Sequence, residues 1–134
     1  MQLSDKDKVE WASSISRFTV AFIWVYHGLV PKLWLQHATE LKLIRNAPLP
    51  IDPDWAMAIA GMAEVILGCW IMVYRNSLLP IYFSIAAFLV LLSGAAATTP
   101  DILGAAFNPV SLSVAAIALG CVHILLEKSS SNSD

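Results

Sequence analysis

WAMAIAGMAEVILGCWIMV, residues 55–73, is the stretch that decides the fold class. It is apolar from end to end except for Glu64, and about 20 such residues cross a bilayer as a helix. The apolar residues run on without period-2 alternation, which argues against the strand of a membrane barrel. In hydrocarbon a segment must satisfy its own backbone, so the stretch reads as a helix. Its start is marked by Asp52-Pro53, a capping carboxylate followed by a proline at the first helical position, where the missing N–H costs nothing.

Working outward, three more stretches have spanning length: residues 15–35, 78–97 and 110–126. Asn108-Pro109 starts the last of them as Asp52-Pro53 starts the second, and Thr99-Pro100 opens a short helix in the third connection. Asn76 or Ser77 can cap the third span, which leaves Pro80 in a tolerated first turn. Ser4 can cap a polar helical extension that enters the membrane near Trp11, an interfacial anchor. Composition agrees. Of 134 residues 57% are hydrophobic and 13% charged, roughly half the charge of a soluble domain. A net charge of −2 gives no basic field for nucleic acid. Two cysteines, Cys69 and Cys121, make neither a disulfide framework nor a four-ligand zinc site. The expected fold is all-α: an integral membrane four-helix transmembrane bundle, one domain over residues 1–128, followed by a polar and disordered tail at 129–134.

The N-terminus mixes Asp5, Asp7 and Glu10 with Lys6 and Lys8 and precedes a stretch of spanning length, so it reads as a retained span and not a cleaved signal. Lys6, Lys8, Arg17, Arg75 and Lys128 lie on one side of the membrane, against Lys42 and Arg45 with Lys32 near a helix end on the other. The positive-inside rule then puts both termini in the cytoplasm of a multi-pass plasma (inner) membrane protein. On the external side residues 39–44 read as a short interfacial helix with Leu41 and Ile44 turned inward. The two halves share one plan, a span, an external segment and a Pro-started span, which hints at a parallel duplication.

Glu64 stands out for chemistry, because a carboxylate at the middle of a span is costly and functional by default. Gly61, Glu64 and Gly68 share a helical face, and small neighbours on that face imply close packing on another helix. Glu64 lies roughly 13 Å below Trp55, and His27 about 12 Å below Leu35 on the antiparallel first helix, so the two are expected to meet. Pro31, four residues after His27, frees the His27 carbonyl and kinks the helix. Lys32 follows it, about 5 Å inside the external end. It either snorkels to the headgroups or turns inward, to pair with Glu64 or Glu40 or to draw in an anionic or quinone-like ligand. Trp24, Tyr26 and Trp34 surround it in sequence. Arg17, at the cytoplasmic end, reads as an ordinary boundary residue, and Tyr82 and Ser84 as interhelical glue. Ser113, Ala116, Gly120 and His123 form a small-residue face on the last span. His27 and His123 differ in depth by roughly 8 Å, which speaks against paired haem ligation, and no metal-ligand cluster is expected.

The blocks Tyr26-His27-Gly28-Leu29-Val30-Pro31-Lys32-Leu33, Glu40-Leu41, Ala60-Gly61-Met62-Ala63-Glu64-Val65-Ile66-Leu67-Gly68 and Ala106-Phe107-Asn108-Pro109-Val110 resemble, in that order, the DoxX-like family of small four-helix membrane proteins. The resemblance runs from about Arg17 to Leu126. It implies a redox setting: the namesake is similar to the membrane subunit of a thiosulfate:quinone oxidoreductase, while distant members resemble maturation factors and assembly chaperones. Carried over position by position, it selects His27, Pro31, Lys32, Glu40, Glu64, Gly68 and Asn108, without assigning roles.

The expected function is an accessory membrane subunit of a redox system. It would bind a quinone, the one cofactor suggested, or another small amphipathic molecule in an intramembrane polar pocket. Glu64 and His27 are the candidate proton-exchanging pair, with Lys32, Tyr26, Trp24, Glu40 and Asn108 as candidate ligand-binding residues. A non-enzymatic assembly factor or scaffold is the alternative, and a proton-coupled small-solute carrier a third reading. The expected partners are the lipid bilayer and either a second copy or a partner membrane protein.

Overall fold

The computed structural model describes residues 4–106 and 108–131. Among them there are helices and no strand. They are α1 (Asp5–His27), continued by a π-helical segment (Gly28–Trp34), then α2 (Ala38–Asn46), α3 (Pro53–Val73), α4 (Leu79–Thr98), a 3-10 turn (Pro100–Gly104) and α5 (Pro109–Ser131). Three of them, α3, α4 and α5, are each long and apolar enough to cross a membrane. The first helix carries Arg17, His27 and Lys32 and qualifies as the fourth crossing together with α2, into which it bends by 91°. The chain is a multi-pass membrane protein built as an all-α bundle.

The helix starts follow local chemistry. Ser4 and Asp7 form a reciprocal capping box at α1, and Asp52 accepts from the N–H groups of Asp54 and Trp55 ahead of Pro53. Asn108 accepts from the Ser111 N–H at 2.9 Å to cap α5. At the other end α5 runs on through Ser131, so residues 129–131 are helical where a disordered tail was expected; positions 132–134 of that tail lie outside the described residues. Pro31 is absorbed by a change of register: the Leu35 N–H reaches back five residues to the Val30 carbonyl at 2.9 Å, a π turn that tolerates the missing proline donor. The sharp turn comes after it, at Gln36, whose φ of 45° lies in the left-handed region.

Around the bundle α1 packs on α3 and on α5, α4 packs on α5, and α3 and α4 touch more lightly. Lipid removes the hydrophobic drive between helices, so close approach of small residues must replace it. A Cβ on Gly28 would sit 2.4 Å from the Gly61 carbonyl oxygen, and one on Gly68 would sit 2.8 Å from that of Ala21. The glycine face read from the sequence is therefore the α1–α3 seam. Ser113, Ala116, Gly120 and His123 are likewise all buried, as their spacing implied. Val20, Trp24, Ile71, Ile81 and Phe88 fill the core. Many large apolar side chains face outward, with exposed aromatics near the helix ends: Trp11 (62%), Trp34 (76%), Trp55 (71%) and Tyr74 (59%).

Candidate functional site

Lys32 occupies the π-helical segment and points into the bundle, 8% exposed, like Glu64 on α3. Its Nζ lies 2.9 Å from Glu64 Oε1 and donates to Oε2 at 3.0 Å. The same Nζ lies 2.9 Å from Glu40 Oε2 on α2. One ammonium thus holds two carboxylates from two other elements in a region of low dielectric, where each charge needs its partner.

The sequence brings these groups together in three local steps. The π turn places Lys32 on the inner face, and the Gly28–Gly61 approach brings α3 within its reach. The bend at Gln36 then folds α2 back over the bundle end, started by His37, whose Nδ1 accepts from the Thr39 N–H at 3.3 Å. Leu41 and Ile44 turn inward and are half-buried. Lys42 pairs with Asp101 in the 3-10 turn, and Asn46 donates to the Thr98 carbonyl at 3.2 Å and to Thr99 Oγ1 at 3.1 Å. The connection covers the polar site, as its amphipathic pattern implied.

Of the two inward pairings open to Lys32, both are made. The contact expected between Glu64 and His27, directly or through one water, is not made directly: both Glu64 oxygens are taken by Lys32, and no hydrogen bond joins His27 to Glu64. Matching depth was not enough, because the long lysine stem reaches the carboxylate that the imidazole does not. His27 is half-buried with Lys32 and Glu40 as its charged neighbours, and Tyr26 packs edge-on against it at 6.1 Å between ring centroids. The aromatic surround expected for Lys32 is not built. Trp24 belongs to the core, its indole N–H donating to Ser84 Oγ at 2.7 Å and its ring on Phe88 at 4.3 Å. Tyr26 is half-exposed and Trp34 faces outward. Asn108 has both ends of its amide committed locally, to the Ser111 N–H and the Ala105 carbonyl, which leaves it a capping residue.

A second polar cluster, at the end of the bundle that carries the termini, escaped the sequence reading. Arg17 is 5% exposed. Its guanidinium donates to the carbonyls of Ile71 (2.7 Å), Tyr74 and Arg75 (3.2 Å), and so caps the end of α3. It also meets His123 Nε2 at 3.2 Å. A guanidinium only donates, so Nε2 accepts and the imidazole proton sits on Nδ1, facing Ser13. Ser13 in turn donates to Glu127. The signal was present: Ser13, Ser16 and Arg17 continue the buried stripe of Val20, Ala21 and Trp24 along one face of α1. Among the described residues no group of three or more His, Cys, Asp or Glu is placed to hold a metal ion.

Comparison with known proteins bears on this arrangement over most of its length. The model of the DoxX-like family matches residues 21–121, a span that contains Lys32, Glu40 and Glu64. Searches among curated proteins and among solved structures returned no match.

Proposed function

The chain belongs to the DoxX-like family, and from that premise we propose that it is an accessory membrane subunit of a redox system, with the Lys32–Glu40–Glu64 group as its binding site for a quinone or a similar small amphipathic molecule. The carrying observation is the shared ammonium: Lys32 holds two carboxylates at 2.9 Å, inside the bundle and under α2. Two carboxylates on one cation leave one negative charge to spare, the capacity to accept a proton. A quinol hydroxyl entering the group would displace one carboxylate from Lys32, take its hydrogen bond and give its proton to the carboxylate so released, and the proton of the second hydroxyl would leave by way of His27 as the two electrons depart. The electrons pass to the partner redox subunit. His27, beside Lys32 and Glu40, relays that proton toward the bundle end. Entry requires α2 to lift, which breaks the Lys42–Asp101 pair and the Asn46 hydrogen bonds to Thr98 and Thr99.

Purification of the full chain in mild detergent, followed by mass spectrometry of the extracted lipid, tests this directly. Wild-type protein is expected to carry quinone, and Glu64→Gln and Lys32→Met to carry far less per folded molecule. Equal quinone in all three, or none in wild type, overturns the reading.

One observation favours a second reading, that of an assembly scaffold: the triad ties three separate elements and leaves no buried side-chain polar atom without a partner among the described residues. On that reading Glu64→Leu abolishes assembly, while Glu64→Gln stays fully active.

A further inference from the structure

A hollow of about 330 Å³ opens between α1 and α3 at the termini end, far from the Lys32 group. Its size is that of a small ligand site. Its lining is graded: Arg75, Ser14 and Trp11 stand at the mouth, and Ile15, Phe18 and Met72 form the wall below. Ile15 and Phe18 are more than half exposed, and Phe22, also exposed, continues the same face of α1 one turn deeper.

Depth and charge identify the occupant. Arg75 lies two residues past Val73, the end of α3, so its guanidinium sits at the membrane boundary. Arg75 Nη2 lies 3.5 Å from Ser14 Oγ, which puts Ser14 at the same level, one turn below the exposed Trp11 indole. That is the plane of lipid phosphates. Among the described residues no carboxylate pairs with Arg75; Glu10, one turn above Ser14 on α1, does not reach it. Behind it lies Arg17, whose donors go to carbonyls and to His123 and whose charge is opposed by Glu127. Glu127 lies on the α5 side, where Ser13 donates to it, away from Arg75. The mouth therefore carries the positive charge of Arg75, which no carboxylate pairs among the described residues, and an apolar channel leads from it toward the bilayer centre. Guanidinium groups bind phosphate oxygens in pairs.

We propose that this groove is a site for an anionic glycerophospholipid, with the phosphate on Arg75 and Ser14 and one acyl chain along Ile15, Phe18 and Met72. A partner helix laid in the same groove would use the apolar wall and ignore the headgroup charge.

The test is lipid retention by the full chain, measured by native mass spectrometry with dioleoylphosphatidylglycerol against dioleoylphosphatidylcholine. One basic residue at the membrane surface supports about a fivefold preference for the anionic lipid. Arg75→Gln is expected to abolish that preference and Arg75→Lys to keep most of it, which separates lost charge from lost folding. Phe18→Ala is expected to weaken retention of both lipids alike. Equal retention of the two lipids by wild type, or an unchanged preference in Arg75→Gln, overturns the proposal. So does inorganic phosphate alone, if it stabilises the protein against heat as well as the anionic lipid does.

Discussion

Lys32 and Arg17 are two inward cations on one helix, and they differ in what a substitution leaves behind. Removing the Lys32 charge strands Glu64 and Glu40 together in low dielectric, and breaking such a buried group costs about 3–5 kcal/mol. Lys32→Met is therefore expected to lower the unfolding midpoint in detergent strongly. Glu64→Gln leaves Lys32 paired with Glu40 and keeps an acceptor in place, so its loss should stay near 1 kcal/mol; thermal melts of the two variants side by side check the difference. Glu64 and Lys32 were each legible in the sequence, because a charge interrupting an apolar run has few explanations. The choice of partner was not. Depth counted along an ideal α-helix selects His27, and it ignores both the reach of a lysine stem and the register change at Pro31. Arg17 was missed for a different reason: a basic residue near a boundary is common, and only its place on the Ser13, Ser16, Val20, Ala21, Trp24 stripe marks it as inward.

At the scale of elements, the α1–α3 seam and the α2 cover make opposite demands. The seam is apolar, small and intolerant. Gly28→Ala drives a methyl to 2.4 Å from the Gly61 carbonyl and 2.9 Å from Val65, and should cost about 1–3 kcal/mol through overpacking. Gly94 in α4 meets nothing within 4 Å of a built Cβ, so Gly94→Ala should be neutral or stabilise by up to about 1 kcal/mol through helix propensity. Melting both variants in one detergent settles the contrast. The cover is polar and adjustable. Asp101 lies at the surface, and the hydrogen bond and charge of Lys42 hold its carboxyl below its ordinary range. A carboxyl whose folded value is depressed contributes above its unfolded value and loses that contribution as pH falls through the folded one. The Lys42 clamp should therefore persist at neutral pH and release only in acid below the usual carboxylate range. Backbone hydrogen exchange over residues 38–46 should rise there, and Asp101→Asn should remove the acid step. The helix starts were readable from Asp52-Pro53 and Asn108-Pro109 because a cap is local chemistry. The π turn was not, since a proline four residues after a free carbonyl is compatible with a kink as well as with a widened turn.

For the whole molecule, four crossings would return the chain to the side on which it starts, and the lysine and arginine asymmetry orients it. Reporter fusions placed before Ser4 and after Ser131 are expected to give the same signal, that of the cytoplasm; opposite signals would mean that one of the four helices does not cross. The exposed aromatics set a further dimension. Trp11 on α1 and Trp34 at the end of its π-helical continuation are at most roughly 34 Å apart at the α-helical rise, and Trp55 and Tyr74 at the two ends of α3 about 28 Å. Each pair turns outward, and indole and phenol rings settle at the headgroup level. The protein thus carries its own gauge of bilayer thickness, close to the ~30 Å hydrocarbon core of an ordinary membrane. In lipids with shorter or longer tails the rings at one end are pulled out of register with the headgroups, and the mismatch must be met by tilt or by local thinning. A tilt of α1 alone is blocked, because Arg17 and Lys32 pin it to its neighbours at both ends, so the bundle has to tilt as one body or strain. Thermal stability measured in vesicles of graded acyl-chain length should accordingly peak at a core thickness near 30 Å and fall on either side.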